Sequence, residues 1–189
     1  MSTVGQSSGL SITGGTPVTP LENLELKSDS KLKPIKEFRI YQRRLPHYED
    51  PGNVYFITFN TATGYDLTDN DKDVTLAAIK YHADKKYKLY ACAIMKTHVH
   101  LIIYPLKDYK GNFFSLAQIM HSIKSYSAHK INKILDKEGS IWLDENYDRI
   151  IRDDMDYIEK MNYIIYNPVK AGLVERPEDY KWLYYRGFD

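Results

Sequence analysis

The sequence contains one cysteine, no long apolar run and almost no net charge, and each shortage excludes a class of protein. Because Cys92 is the only cysteine in 189 residues, the chain cannot form an internal disulfide, which fits a reducing cytoplasm. No stretch reaches the roughly 18 apolar residues of a membrane span, and the first residues lack the pattern of a secretory signal. We therefore expect a cytoplasmic protein without a membrane partner.

The charge balance gives little support to nucleic-acid binding, whereas the tyrosine content leaves several roles open. The formal net charge is +1, and dedicated nucleic-acid-binding domains are often strongly basic. An average can hide local patches, so the distribution of charge matters more. The chain has 17 tyrosines against 6 phenylalanines. Tyrosine serves as a core residue, a base-stacking platform or a nucleophile, and the count does not separate these roles.

The N-terminal segment differs in composition from the rest of the chain. Residues 1–36 are rich in Ser, Thr, Gly and Pro without a sustained apolar period, which predicts a disordered tail. Residues 37–189 are expected to form one domain. Its first residues, 39–44, are basic with interleaved aromatic side chains. Arg43 and Arg44 there fit either a solvated linker or an arm that contacts phosphates.

Hydrophobic periodicity predicts seven elements in this domain. Strands are expected at 53–60, 87–95, 99–104 and 147–152, and helices at 69–85, 115–136 and from Asp153 or Asp154 to Asn167. The last helix should end at Asn167 because Pro168 disfavours helical geometry there. Trp182, Tyr184 and Tyr185 are expected to pack back on the domain. The first six elements form a split βαβ pattern, which favours an α+β fold with helices packed on an antiparallel sheet.

A pair of histidines lies on one of the predicted strands. In the run His98-Val99-His100 the two imidazoles point to the same face, because side chains two residues apart on a strand share a face. Two imidazoles in this arrangement can bind one metal ion. Each can equally be an ordinary hydrogen-bonded or surface histidine, so the motif alone is not decisive.

A second pair lies near the end of the last predicted helix. Tyr163 and Asn167 are four residues apart and therefore neighbours on one helix face. Magnesium and manganese accept oxygen ligands and tolerate imidazole, so the amide of Asn167 could be a third ligand beside Tyr163. The spacing is equally compatible with Tyr163 as a core aromatic residue and Asn167 as a capping residue before Pro168.

Basic side chains along the chain are candidates for phosphate contacts, although a charged helix face is often simply solvated. Besides Arg43 and Arg44 they are Lys124, Lys130, Lys133, Arg149 and Arg152. Tyr41 and Tyr126 are candidates for stacking on an unpaired base.

Five sequence blocks in one collinear order resemble the single-tyrosine HUH transposases, and in particular the REP-associated tyrosine transposases. REP stands for repetitive extragenic palindrome, and HUH for histidine, hydrophobic residue, histidine. The blocks are 43–47 with 55–59, 95–101, 121–127, 148–153 and 162–174. Three positions depart from the family pattern. Lys96 and Thr97 stand where the family usually has Pro-Asn, and Arg149 stands where it often has histidine.

The resemblance implies the HUH endonuclease form of the ferredoxin-like sandwich, with His98, His100 and Asn167 as metal ligands and Tyr163 as nucleophile. It implies a metal-dependent reaction, with magnesium or manganese, on single-stranded DNA that carries a hairpin, through a 5′-phosphotyrosine. The lack of a Walker-type GxxxxGK[ST] motif agrees with a reaction that needs no ATP. A non-catalytic nucleic-acid-binding module and a metal hydrolase without covalent intermediate are the alternatives. We expect a monomer rather than a homodimer, in a bacterial cytoplasm.

Overall fold

A computed structural model describes residues 39–42 and 46–186 of the chain, with side chains from Glu49 onward. The tail expected at 1–36 lies outside the described residues, as do Arg43 and Arg44. Two short strands come first, β1 (Arg39–Gln42) and β2 (Pro46–Glu49), and pair antiparallel with each other. Periodicity did not predict them, because four residues are too few to show a pattern.

The remaining elements build one sheet and three helices. In chain order they are β3 (Tyr55–Thr61), α1 (Asp69–His82), β4 (Tyr87–Ile94), β5 (His98–Pro105), α2 (Leu116–Leu135), β6 (Trp142–Ile150), α3 (Asp154–Lys170), a 3-10 turn (Pro177–Asp179) and β7 (Leu183–Tyr185). The sheet has five strands in the order β6-β3-β5-β4-β7, and all neighbours are antiparallel. This confirms the predicted α+β fold, and β7 confirms that the C-terminal aromatic segment packs back on the domain.

Side chains of the central strands alternate between two faces of the sheet. On β3 and β5 one set is fully or almost fully buried and forms the core: Tyr55, Ile57, Phe59, Val99, Leu101 and Ile103. Helices α1 and α2 cover this face. The Tyr87 hydroxyl of β4 donates to the backbone carbonyl of Ile79 in α1. The indole of Trp142, which packs on Phe59, donates to the Ser127 hydroxyl of α2. The opposite face carries His98 and His100, and α3 packs there against β4 and β5.

Helices α1 and α2 begin at side-chain caps of the same kind. Thr68 and Ser115 each accept a hydrogen bond from the backbone three residues later, while Asp71 and Gln118 bond back to the cap, which completes a capping box. This satisfies backbone N–H groups that have no partner inside the helix. The predicted start of α1 near residue 69 is confirmed, but the helix ends at His82 rather than near residue 85.

The prediction that α3 ends at Asn167 is wrong, because the helix continues through Pro168 to Lys170. Proline removes one N–H and one helical hydrogen bond. The backbone after it still closes the helix end, because the N–H of Ala171 donates to Asn167, that of Gly172 to Val169 and that of Leu173 to Pro168. Gly172 has a φ of 69°, a left-handed conformation that suits glycine at a helix end. Pro168 itself is buried, so packing holds the last turn in place.

Strand β6 is also longer than predicted, since it begins at Trp142 rather than near residue 147. In its first half the apolar Leu143 is exposed while the polar Glu145 and Asn146 are half-buried, so the alternation on which a strand prediction depends is absent. The register with β3 shifts between Phe59 and Thr61, so the pairing there is irregular. Lys124 of α2 holds this half of β6, because its ammonium donates to the backbone carbonyls of Leu143 and Asp144 at 3.0 and 3.1 Å.

Replacing Ser127 by alanine should destabilise the protein by about 1–3 kcal/mol, because the indole N–H of Trp142 would be left buried without its acceptor at 2.9 Å. Ser125→Ala, at an exposed position of the same helix, controls for the change in helix propensity and should stay within about 0.5 kcal/mol of the wild type. Urea unfolding of the three proteins measures both effects. Equal stabilities of the two variants would contradict the role of this hydrogen bond.

Candidate active site

The two histidines of β5 lie side by side on the face of the sheet that α3 covers. Val99 between them is fully buried on the opposite face, which fixes the direction of both imidazoles. The ring centroids of His98 and His100 are 4.7 Å apart with an edge-to-face arrangement. His98 is half-buried, and His100 is only 4% exposed. The structure therefore brings the pair together as the strand spacing predicted.

The ring of His100 is held in one orientation by β3. Thr58 is the register partner of His100, and its hydroxyl lies 2.8 Å from Nδ1. The ring of Phe56 stacks on the imidazole at 5.7 Å between centroids. The other ring nitrogen, Nε2, faces the amide of Asn167 at 3.5 Å. Which of these contacts carries the imidazole proton depends on the tautomer, but both ring nitrogens have defined neighbours.

Burial keeps both imidazoles in the neutral form. It lowers the pKa of His100 to about 3, and the neighbouring His98 contributes in the same direction. Burial also lowers the pKa of His98. Since a neutral imidazole is the form that binds a metal ion, the pair is ready to act as a ligand at neutral pH without first losing a proton.

Helix α3 presents Tyr163 and Asn167 to these histidines. The helix begins at Asp153, whose carboxylate accepts from the backbone N–H of Asp156. Tyr163 is 39% exposed, and its ring meets those of His100 and Phe56 edge-on at 5.1 and 5.9 Å between centroids. One helical turn later, Asn167 is half-buried and reaches His100. The predicted spacing of four residues thus places both side chains at the histidine pair.

Other tyrosines of α3 are placed differently. Tyr157 lies against Tyr90 at 5.9 Å between ring centroids, and burial raises its pKa to about 12, so it is a poor candidate for a nucleophile. Tyr166 is 42% exposed, and its ring contacts neither His98 nor His100 in the part of the chain that the structure describes. Tyr163 is therefore the tyrosine of this helix that lies at the histidine pair.

A pocket of about 310 Å³ opens beside Tyr163. It is lined by Phe56, Thr58, His100, Tyr147, Lys160 and Tyr163. Sequence reasoning missed four of these residues. Phe56, Thr58 and Tyr147 join the site through strand register, because β3 lies between β5 and β6 and pairs Thr58 with both His100 and Tyr147. Lys160 lines the pocket because it lies three residues before Tyr163 on the same helix face, a spacing that could be read from the sequence.

The donor atoms fit a divalent cation with mixed nitrogen and oxygen ligands. Two imidazoles and the Asn167 amide converge, and rotation of that amide by half a turn would direct its oxygen rather than its nitrogen toward His100. No cluster of three His, Cys, Asp or Glu side chains suited to a metal lies within residues 49–186. The amide is thus the third donor that this structure offers.

The basic side chains that were predicted to contact phosphates differ in their surroundings. Lys124 is engaged with the backbone of β6, as described above, and the Arg149 guanidinium bonds both carboxylate oxygens of the buried Asp156 on α3. The backbone N–H of Arg152 also bonds Asp156, and its guanidinium lies 3.7 Å from the same carboxylate although the side chain is 76% exposed. Lys130 and Lys133 are exposed on α2. Lys124 and Arg149 therefore hold β6 to its neighbours, and Arg152, Lys130 and Lys133 remain accessible to a ligand.

None of the helices that the structure describes is both long enough and apolar enough to cross a bilayer.

Comparison with known proteins identifies the family. The model of the family described as "Transposase IS200 like" matches residues 64–164, more than half of the chain, and the match includes His98, His100 and Tyr163. A Haemophilus influenzae protein assigned to the REP-associated tyrosine transposases is 27% identical over 139 residues, which are 69% of this chain and 78% of that protein. The REP-associated tyrosine transposase of Escherichia coli is 27% identical over 135 residues, 70% of this chain and 76% of its own.

The fold is shared with a solved structure. A REP-associated tyrosine transposase bound to a REP hairpin superposes with a TM-score of 0.61 at 23% sequence identity, over 75% of this chain and 82% of that one. The resemblance read from the five sequence blocks is thereby confirmed. This chain belongs to the IS200-like transposases, a family of DNA-processing enzymes, and within them it resembles the REP-associated tyrosine transposases.

Proposed function

We propose that this protein is a metal-dependent endonuclease and strand transferase for single-stranded DNA, acting through a 5′-phosphotyrosine on Tyr163. The observation that carries the proposal is the convergence of Tyr163 and Asn167 of α3 on the histidine pair of β5. A phenol, two neutral imidazoles and an amide close together beside an open pocket are what a metal-assisted attack on a phosphodiester requires.

The substrate class follows from the relatives. The solved neighbour carries a REP hairpin, and the similar bacterial proteins are named for the same palindromes. We therefore propose hairpin-bearing single-stranded DNA, such as a repetitive extragenic palindrome in the bacterial cytoplasm, as the substrate. Lys130, Lys133 and Arg152 are the accessible candidates for contacts to its backbone, because each is exposed. Arg43 and Arg44 stay candidates on sequence grounds.

The ligands proposed for magnesium or manganese are His98, His100 and Asn167. A cation there would polarise a non-bridging phosphate oxygen and stabilise the charge of the in-line transition state. The chain itself contributes orientation. Thr58 and Phe56 fix the His100 ring, and burial keeps it neutral. The edge-on packing of Tyr163 on His100 and Phe56 holds the phenol at the pocket mouth, where DNA can reach it.

The reaction exchanges one phosphate ester bond for another, so it needs no external energy source. The Tyr163 phenolic oxygen forms a bond to phosphorus as the bond from phosphorus to the 3′ oxygen breaks. The phenolic proton is balanced by the proton that the released 3′ oxygen takes up, so the products are a 5′-phosphotyrosine and a free 3′-hydroxyl. A 3′-hydroxyl of another strand can then reverse the step and join that strand.

Mixing the protein with labelled REP hairpin DNA and manganese should give an adduct that survives denaturation on a gel. Tyr163→Phe removes the nucleophilic oxygen and should abolish the adduct, while Tyr166→Phe, one residue from Asn167 and away from the histidine rings, should retain it. An adduct that persists in Tyr163→Phe and disappears in Tyr166→Phe would move the nucleophile. Cleavage without adduct would favour a metal hydrolase, and binding without cleavage a non-catalytic module.

Manganese affinity should fall less than about fourfold between about pH 7.5 and about pH 6.0, because a pKa of about 3 keeps His100 neutral throughout and the pKa of His98 is also lowered from its usual value of about 6.5. Two histidines with the ordinary pKa of about 6.5 would instead lose more than about tenfold over this range. Calorimetric titration measures the affinity. His100→Ala should weaken it at least about tenfold at both pH values, and unchanged binding by that variant would contradict the proposed ligand.

A further inference from the structure

The pocket beside Tyr163 contains a cation to which the reaction described above gives no role. Lys160 lies on α3 three residues before Tyr163, a spacing that puts two side chains on the same helix face. Its side chain is only 16% exposed and lines the pocket together with His100 and Tyr163. It is the one cationic side chain among the six that line this pocket.

The surroundings of Lys160 keep its ammonium at the pocket. The nitrogen lies 5.9 Å from the centre of the Phe56 ring, within the range of a cation–π contact, and donates to the Glu159 carboxylate at 2.6 Å. Glu159 is 70% exposed. An ion pair with so exposed a partner contributes little stability, so an incoming anion can replace it at small cost.

We propose that Lys160 binds the scissile phosphate. On DNA binding its ammonium leaves Glu159 and donates to a non-bridging oxygen of the phosphate that Tyr163 attacks. This inference rests on the proposed function, because it names a further group that touches the reacting phosphate. The position of Lys160 distinguishes it from the other basic residues. Lys124 is engaged with the backbone of β6 and Arg149 with Asp156, whereas Lys160 lines the pocket beside Tyr163.

The chemistry favours an ammonium here over an uncharged donor. Attack by a phenol oxygen on a phosphodiester brings two electron-rich groups together, and negative charge on the phosphate oxygens must be stabilised as the bonds rearrange. A charge-assisted hydrogen bond in a half-buried pocket is stronger than the same bond in water. Lys160 would therefore assist the reaction of bound DNA as well as its binding.

Replacing Glu159, the partner of Lys160 in the ion pair, should change hairpin affinity in the opposite direction from replacing Lys160. If the phosphate replaces Glu159, the carboxylate competes with DNA for the ammonium and also repels the DNA backbone. Glu159→Gln should then tighten hairpin binding, whereas Lys160→Met should weaken it. Opposite effects from adjacent residues of one helix are not expected from a general loss of helix stability.

The experiment measures the single-turnover rate of adduct formation at saturating labelled hairpin DNA, together with hairpin affinity in a Tyr163→Phe background. Lys160→Met keeps an aliphatic stem and should slow the adduct rate about 10²-fold, the typical effect of removing one donor to a developing oxyanion. Lys160→Arg should recover the rate to within about tenfold of the wild type. Lys110→Met, an exposed lysine in the loop after β5, controls for the loss of one charge and should react normally.

The outcomes separate this inference from the proposed function. A Lys160→Met rate within about threefold of the wild type, or an arginine variant as slow as the methionine variant, would overturn the role of Lys160 while leaving Tyr163 as nucleophile. If the wild type forms no adduct, the proposed function fails. The hairpin affinities of the variants then still test whether Lys160 contacts a phosphate. A phosphate contact requires Lys160→Met to weaken binding and to lower the slope of log affinity against log salt by about one, and an unchanged slope would refute it.

Discussion

The alternation of side chains along β5 is the constraint on which both the core and the site depend. Val99, Leu101 and Ile103 are fully buried on the side of α1 and α2, while His98 and His100 lie on the side of α3. A slip of one residue would exchange the two sets and place imidazoles in the core. Pairing with β3 on one edge and β4 on the other prevents such a slip, so the stability of the core positions the histidines.

Burial of His100 connects stability with chemistry. An imidazole that is 4% exposed cannot accept a charge at low cost, and the low pKa of this group is the result. The surroundings provide one hydroxyl, two aromatic rings and an amide, so the neutral ring has partners for its polar atoms. The same environment that disfavours the protonated form preserves the form that a metal ion would require, so a metal bound as proposed would need no separate base to deprotonate this imidazole.

The parts of the site that follow from one element could be predicted from the sequence, and those that depend on register could not. The shared face of His98 and His100 needs only a strand period, and that of Tyr163 and Asn167 only a helix period. Thr58 lies 42 residues from His100 in the chain and becomes its partner through β-sheet register, which depends on the whole core. Local rules failed at Pro168 because tertiary packing and the backbone bonds after it outweigh the helix-breaking effect of proline.

Part of the positive charge of this chain holds the fold together, so a net charge of +1 is a poor guide to function. Lys124 ties β6 to α2 on one face of the sheet, and Arg149 ties it to α3 through Asp156 on the other. Tyr147, which lines the pocket, lies on the strand between these two ties. Both basic side chains thus affect the pocket indirectly, because they fix the strand that carries Tyr147. A sequence shows where basic residues lie along the chain, but only the packing of β6 shows which of them already bind other groups of the protein.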